Sequence, residues 1–245
     1  MSDIKQYIDD SLASDYTFVQ ELSKTSIHTL KLYENKNIHK RLVLIESKHR
    51  NDEVFRALRG VRTQGYTPQI YEVASEEDAL YVLEEYIEGE PLSEYLMQDK
   101  QLPKERVIDI LIDICEALSM LHGLQIVHRD IKPENIVLTV QKACLIDFSA
   151  AKMISGKSAD TINLGTAGFA APEQYGVSQS LPTADIYALG VLANILLLGV
   201  HPTAEVPGGY LGKIIQKCTQ TQTAKRYQSA EQLKKALLRA KKFIK

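Results

Sequence analysis

The chain has 245 residues, of which 44% are hydrophobic and 24% are charged, a balance typical of a folded globular protein and not of a disordered one. Its 29 basic and 31 acidic residues give a formal net charge of -2, so we expect neither a nucleic-acid partner nor a membrane partner. The N-terminus lacks the pattern of a secretory signal, and the longest apolar run, residues 186–200, is short for a membrane span.

The first part of the chain is predicted to form a small sheet with one helix. Residues 1–15 are polar and carry a weak helical pattern. A helix signal begins after Asn51, with acidic residues in its first turn and apolar residues on one face, including Leu58 and Val61. Strands are predicted at residues 17–22, 29–33, 41–46, 69–73 and 79–83.

From Pro91 onward the pattern becomes mainly helical. Residues 107–123 carry apolar residues at helical spacing and end at Gly123, and residues 186–200 predict a fully buried helix. Two short strands are predicted at 136–138 and 143–146. The predicted fold class is therefore α+β with two lobes: a small β-rich N-lobe at residues 1–86, a connection at 87–90 and a larger helical C-lobe at 91–245.

A polar loop lies between the first long helix and the two short strands of the second lobe. It reads His-Arg-Asp-Ile-Lys-Pro-Glu-Asn at residues 128–135, and Asp147 follows the second strand. Asp147 and Asn135 can supply oxygen ligands to Mg²⁺, Asp130 can accept a hydroxyl proton, and Lys132 can neutralise developing phosphate charge. Residues of these types, presented by a rigid scaffold, suit phosphoryl transfer.

This loop resembles the catalytic loop of eukaryotic-type serine/threonine protein kinases, and Asp147-Phe148-Ser149 is similar to their metal-binding tripeptide. The resemblance continues through residues 165–173, which look like the substrate-docking segment that ends in Ala-Pro-Glu, and through residues 185–190. Arg226 stands where the family pairs an arginine with the glutamate of that tripeptide, here Glu173. The resemblance implies a single bilobal protein-kinase-like domain that uses ATP and Mg²⁺.

The resemblance also implies roles for individual residues. Asp130 would be the base and Lys132 the γ-phosphate stabiliser, while Asn135 and Asp147 would bind the metal. Lys132 together with Thr166 looks like the serine/threonine version of the family, so the expected acceptor is a hydroxyl of a protein substrate. Thr166 is expected to bond Asp130 and not to be a phosphorylation site.

Further expectations concern the remaining parts of the family pattern. The backbone at Glu85 and Ile87 would bond the adenine edge, and His128 would pack beneath the tripeptide. Autophosphorylation at Thr161 or Ser158 would place a phosphate against Arg129.

The docking segment argues against a third class, a small-molecule phosphotransferase of the same fold.

The first lobe departs from the family pattern at two places. Ser23, Thr25 and His28 stand where three glycines would let the backbone approach phosphate. The strand that usually ends Val-Ala-Ile-Lys reads Val-Leu-Ile-Glu at residues 43–46, which puts the Glu46 carboxylate where an ammonium would bind phosphate. The partner position on the following helix is Leu58 and not a glutamate.

Three substitutes for the missing ammonium are open. Lys48 lies one strand repeat beyond Glu46 on the same face. His28 or Lys31 could reach in from the neighbouring strand, as in the with-no-lysine kinases. Glu46 could itself help to hold a cation. A related alternative pairs Glu46 with basic residues of the helix, namely Arg56, Arg59 and Arg62.

Two functional classes therefore remain: an active kinase and a pseudokinase that acts as a nucleotide-binding or scaffolding module. The retained catalytic set favours the enzyme, and the altered first lobe favours the scaffold. The cysteines Cys115, Cys144 and Cys218 have neither metal-ligand nor redox spacing, which indicates buried thiols in a cytoplasmic protein.

Overall fold

The computed structural model describes residues 3–48, 51–98, 101–154, 166–175 and 181–243. The chain divides into two compact units. The N-terminal unit contains residues 1–63 and 68–87, and the C-terminal unit contains residues 64–67 and 88–245. The first is built around a sheet and the second is mainly helical, so the predicted α+β class is confirmed.

The N-terminal unit is a five-stranded antiparallel sheet in the order β1-β2-β3-β5-β4 with two helices. Its helices are α1 (Asp3–Asp15) and α2 (Asp52–Leu58), and its strands are β1 (Tyr16–Lys24), β2 (His28–Asn35), β3 (Arg41–Ser47), β4 (Ile70–Ser75) and β5 (Leu80–Glu85). The predicted strands are all present, whereas the predicted helix ends at Leu58, before Val61.

Helix α1 packs its apolar side against one face of this sheet. Leu12 of α1 lies in a buried cluster with Leu42 and Leu44 of β3 and with Tyr81 of β5. Because successive side chains of a strand point to opposite faces, Glu46 shares the face of Leu42 and Leu44. The weakly patterned N-terminal segment is therefore a helix that covers the Glu46 face of the sheet.

The C-terminal unit contains five helices and five short strands among its described residues. The helices are α3 (Leu92–Met97), α4 (Lys104–Gly123), α5 (Pro182–Leu198), α6 (Gly209–Cys218) and α7 (Ala230–Lys241), and the strands are β6 (Glu90–Pro91), β7 (Ile126–Val127), β8 (Ile136–Leu138), β9 (Ala143–Leu145) and β10 (Lys152–Met153). Strand β8 pairs with β6 and β9, and β7 pairs with β10. The short segment 64–67 also belongs here, since Leu145 N–H donates to the Tyr66 carbonyl at 2.8 Å.

The centre of the C-terminal unit is α5, which packs against α4, α6 and α7. Most of its residues are buried, but the predicted fully buried helix over residues 186–200 is shorter than expected: α5 ends at the exposed Leu198, where Gly199 adopts φ 72°. A left-handed residue at this position is a common helix end, and glycine adopts it without strain. In the described ranges, no helix has the length and apolar character needed to cross a membrane.

Candidate active site

The backbone of the polar loop is anchored from beneath by one buried carboxylate. Asp185 lies near the start of α5 with 0% exposure. Its Oδ2 accepts from His128 N–H at 2.9 Å, and its Oδ1 accepts from Arg129 N–H at 2.8 Å. The Nε2 atom of His122, in the last turn of α4, is 2.9 Å from the same Oδ2. Asp185 therefore ties the loop to two helices.

Burial would by itself raise the pKa of Asp185. The His122 hydrogen bond, the nearby histidines and the Arg129 N–H outweigh this, so the pKa lies below its usual value. Asp185 belongs to the motif at residues 185–190 that resembles the family, but the sequence predicts no role for it and none for His122. A lone carboxylate in an apolar helix is the signal that could have identified this anchor.

Asp130 stands at the centre of a compact set of hydrogen bonds. Its Oδ1 accepts from the Thr166 hydroxyl at 2.7 Å, and its Oδ2 is 2.8 Å from Lys132 Nζ and 3.0 Å from Asn135 Nδ2. Lys132 Nζ also donates to the Thr166 hydroxyl at 2.9 Å. The predicted bond between Thr166 and Asp130 is confirmed. Three of the predicted site residues, Asp130, Lys132 and Asn135, are thus in direct contact.

Asp130 is held in its ionised form. Its side chain is only 11% exposed, and this burial tends to raise its pKa. The hydrogen bonds from Lys132 and Thr166 and the charge of Lys132 act in the opposite direction and together lower the pKa below the ordinary value. A carboxylate that is ionised and hydrogen-bonded in this way can orient a hydroxyl group and accept its proton.

Asn135 and Asp147 belong to two adjacent segments. Asn135 ends the 3₁₀ turn Pro133–Asn135, and its carbonyl accepts from Ile146 N–H at 2.9 Å, immediately before Asp147. The Nδ2 of Asn135 also donates to the Asp130 carbonyl at 2.9 Å, which fixes the amide orientation. One Asp147 oxygen accepts from Ser149 N–H at 2.9 Å.

This donor set fits Mg²⁺, which typically binds one or two protein oxygens together with substrate phosphates. Asn135 Oδ1, on the side of the amide away from Asp130, and the second carboxylate oxygen of Asp147 are the atoms suited to a hard cation. Within the described residues there is no cluster of three or more His, Cys, Asp or Glu side chains that could form a metal cage. A Mg²⁺ ion held by Asn135 and Asp147 would complete its coordination with water and with phosphate oxygens of the substrate.

His128 and Phe148 pack together beneath the Asp147 segment. Their ring centroids lie 5.6 Å apart in an edge-to-face arrangement, and both residues are buried. His128 Nε2 is 3.2 Å from the Ile146 carbonyl oxygen. The predicted packing role of His128 is confirmed.

The described end of the docking segment is held by an ion pair between a buried arginine and a partly buried glutamate. Arg226 has a fully buried side chain and contacts Glu173 through two guanidinium nitrogens, at 2.6 Å and 2.8 Å. It also donates to the carbonyl oxygens of Thr183 and Gln220 at 2.9 Å and 2.7 Å. The predicted Glu173–Arg226 pair is confirmed. Residue 165 of the docking segment and the predicted phosphorylation sites Thr161 and Ser158 lie outside the described residues.

In the N-terminal unit, Glu46 contacts two lysines. Its carboxylate lies 2.7 Å from Lys31 Nζ of β2 and 3.5 Å from Lys5 Nζ of α1. Burial would lower the pKa of Lys31, but the hydrogen bond and charge of Glu46 outweigh it and raise the pKa. Glu46 therefore forms an ion pair on the face of the sheet that α1 covers.

The alternative in which arginines of the following helix pair with Glu46 is corrected by these contacts. Arg59 contacts Glu72 at 2.8 Å, and Arg56 donates to the Ser75 hydroxyl at 3.0 Å. Both partners belong to β4. Leu58, at the position where the family has a glutamate, is buried.

The remaining predicted nucleotide residues also lie in the N-terminal unit. Lys48 follows the end of β3 and is exposed. Glu85 ends β5, and its N–H donates to the Gln69 carbonyl at 2.9 Å. Ile87 is half-buried. The Thr25 hydroxyl accepts from Ile27 N–H and His28 N–H, so it closes the β1–β2 turn.

Comparison with known proteins identifies similar chains. A family model described as protein kinase domain matches residues 25–245. The serine/threonine-protein kinase PknA of a Nostoc species is 34% identical over 160 residues, which are 62% of this chain and 28% of the relative. Serine/threonine-protein kinase D of a Synechocystis species is 32% identical over 195 residues, 69% of this chain and 38% of the relative. PrkC of Bacillus subtilis is 35% identical over 136 residues, 54% of this chain and 21% of the relative. The matched part thus spans well under half the length of each of these relatives.

Proposed function

The chain belongs to the protein kinase domain family, and from that premise we propose that it transfers the γ-phosphate of ATP to serine or threonine hydroxyls of protein substrates. The observation that carries the proposal is the set of contacts around Asp130. The Asp130 carboxylate, which is 11% exposed and has a lowered pKa, is bonded to Lys132, Thr166 and Asn135. All three contacts link residues that a phosphoryl-transfer site needs close together.

In the proposed reaction, Asp130 orients the acceptor hydroxyl and takes up its proton. The Lys132 ammonium, which bonds both Asp130 and Thr166, lies close enough to the base to neutralise charge on the phosphoryl group during transfer. Asn135 and Asp147 would hold Mg²⁺, which when bound neutralises the phosphate oxygens. Most of the rate enhancement would come from positioning and charge stabilisation, because phosphoryl transfer asks little covalent chemistry of the protein.

We propose that the nucleotide is bound by the backbone of Glu85 and Ile87 and by a basic residue of the N-terminal unit. Lys48 is the first candidate, because its side chain is exposed and contacts no carboxylate in the part of the chain that the structure describes. Lys31 is less available, since Glu46 holds its ammonium at 2.7 Å.

The pseudokinase is the second candidate function, and the Glu46 ion pair favours it. A carboxylate stands at the end of the strand where the family has its phosphate-binding lysine, and it is bonded to Lys31 and Lys5. A module of this kind would bind nucleotide weakly or not at all, and it would act as a binding or scaffolding partner of another protein.

The test is transfer of labelled γ-phosphate from MgATP to the chain itself and to a generic basic protein, with Asp130→Asn as the matched control. A signal that disappears in Asp130→Asn would establish the kinase, and Lys48→Ala, Lys31→Ala and His28→Ala would then identify the phosphate-binding cation. No signal above the control, together with no rise in melting temperature on adding MgATP, would exclude the kinase and point to the scaffold.

We also propose that the protein acts in the cytoplasm. The support for this is that its three cysteines are buried and form no disulfide with one another.

A further inference from the structure

The side-chain amide of Gln174 is buried between two parts of the C-terminal unit. Gln174 is the third residue of the 3₁₀ turn Pro172–Tyr175, and its exposed fraction is 8%. Its Oε1 accepts from Ala171 N–H at 2.8 Å, and its Nε2 donates to the carbonyl oxygen of Arg129 at 3.1 Å. One side chain therefore connects the docking segment to the loop that carries Asp130.

The contact with Ala171 has a local explanation. Gln174 N–H donates to the Ala171 carbonyl at 2.9 Å while its side chain accepts from Ala171 N–H. In capping boxes, the side chain of a glutamate or glutamine at the third residue of a helix likewise accepts from the N–H of the residue that precedes the helix. That role needs only an acceptor, so glutamate would serve equally well. It does not account for the donation from Nε2 to Arg129.

The carbonyl that Gln174 reaches belongs to an uncommon backbone conformation. Arg129 has φ 72°, in the left-handed region that a non-glycine residue occupies only where its surroundings hold it. Its N–H donates to Asp185 at 2.8 Å, and its carbonyl accepts from Gln174. The peptide groups on both sides of the Arg129 Cα are therefore held by buried side chains.

The Arg129 carbonyl is part of the peptide bond that leads into Asp130. Because a peptide unit is planar, a bond to its oxygen restrains the direction in which the Asp130 Cα and carboxylate project. A further contact to this peptide, from Asp130 N–H to His128 Nδ1, is longer, at 3.4 Å. A misplacement of about 1 Å in a reacting group can lower a rate by roughly a hundredfold.

We propose that Gln174 is a positioning residue for phosphoryl transfer, and that its bond to the Arg129 carbonyl sets the orientation of Asp130. The inference rests on the proposed function and extends it, because it makes the docking segment part of the alignment of the base. It is independent of Thr166, which bonds the Asp130 carboxylate directly.

The kinetic test compares Gln174→Glu with Gln174→Leu. The glutamate keeps an acceptor for Ala171 but, as a carboxylate, cannot donate to Arg129, whereas leucine removes both bonds. We expect kcat to fall about tenfold in both variants. KM for MgATP should stay within roughly twofold, because a positioning residue acts on the chemical step. The exposed Gln216→Leu on α6 is the matched control and should keep the wild-type kcat.

A pH series separates positioning from simple loss of packing. Lowering the pH from about 8 to about 6 should raise the kcat of Gln174→Glu relative to wild type, because a protonated carboxyl group regains a donor for the Arg129 carbonyl. The kcat of Gln174→Leu relative to wild type should not change over this pH range. A wild-type kcat in Gln174→Glu at all pH values would overturn the proposal.

Hydrogen exchange tests the bond even if the chain transfers no phosphate. If wild type transfers no more labelled phosphate than Asp130→Asn does, the proposed function is refuted. Deuterium uptake would then show whether Gln174 still holds the Arg129 carbonyl. The proposal expects both Gln174 variants to exchange faster in peptides covering residues 128–131, with α4 unchanged. The proposal would be overturned if amide exchange became faster only in Gln174→Leu and only at residues 171–175. That result would show that Gln174 stabilises only its own turn.

Discussion

The Thr166 hydroxyl lies 2.7 Å from a carboxylate oxygen of Asp130 and 2.9 Å from the Lys132 ammonium. It therefore donates to the proposed base and accepts from the proposed phosphate-stabilising cation. Because Thr166 belongs to the docking segment, the segment expected to receive a protein substrate is bonded directly to the residue expected to accept the substrate's proton.

Removing the Thr166 hydroxyl should impair Asp130 as the proposed base, because less of it would be ionised at low pH. In Thr166→Val the pKa of Asp130 should rise, because one of the hydrogen bonds that hold it below the ordinary value is lost. The acid limb of the pH–kcat profile should move to higher pH, and kcat should fall by about tenfold or more. Thr166→Ser keeps the hydroxyl and serves as the control. An unshifted acid limb in Thr166→Val would contradict this account.

Loss of the Asp185 carboxylate should destabilise the C-terminal unit. Asp185→Ala leaves the N–H groups of His128 and Arg129 without their acceptor, and each unsatisfied buried group costs about 1–3 kcal/mol. We expect chemical denaturation to give a free energy of unfolding lower by about 3–5 kcal/mol. The control is Asp109→Ala on α4, which loses only a partly exposed pair with Lys241 and should change this quantity by less than about 1 kcal/mol. Equal stability of the two variants would refute the anchoring role.

Asp185 should also contribute to acid sensitivity, and the direction follows from its lowered pKa. The folded protein holds this carboxylate ionised to lower pH than the unfolded chain does. Its contribution to stability is therefore fully present above the ordinary Asp pKa of about 3.9 and is lost as the pH falls through the lower folded value. Urea unfolding between about pH 5 and pH 2 should show a shallower loss of stability in Asp185→Asn than in wild type. Parallel curves would contradict the prediction.

Replacing Arg226 with lysine should lower the stability of the protein. Arg226→Lys keeps the charge but loses the two-pronged contact and the bonds to Thr183 and Gln220 carbonyls. We expect the free energy of unfolding to fall by about 2–4 kcal/mol. The control is Arg59→Lys. Because Arg59 and Glu72 are both about half exposed, this substitution should change the free energy of unfolding by less than about 1 kcal/mol. A melting temperature for Arg226→Lys equal to that of Arg59→Lys would contradict this.

Helix α1 should be part of the folded N-terminal unit. Leu12 is 4% exposed in the cluster with Leu42 and Leu44, so Leu12→Ala should lower stability by about 2–4 kcal/mol. Tyr7, on the same helix, is 73% exposed, and Tyr7→Ala should have little effect. Limited proteolysis should cut Leu12→Ala within α1 before wild type. Equal resistance of both variants would show that α1 does not stabilise the sheet.

Much of the fold and of the proposed site could be predicted from the sequence, because both depend on local patterns. The strands and long helices follow from apolar periodicity, and the 3₁₀ turn at Pro133–Asn135 brings Asn135 back to Asp130 within a few residues. The prediction of Thr166 and of the Glu173–Arg226 pair came from the family resemblance and not from spacing, since these residues lie far apart along the chain.

The sequence by itself determined the polar loop, its residue types and the family to which the chain belongs. Tertiary structure alone decided which distant groups meet: Asp185 beneath Arg129, Gln174 against its carbonyl, and Lys31 against Glu46. The physical reason is that buried polar groups must find partners wherever the fold brings them, and sequence separation does not limit that choice. The face on which Glu46 lies also depended on strand register, because a shift of one residue moves every side chain of a strand to the opposite face.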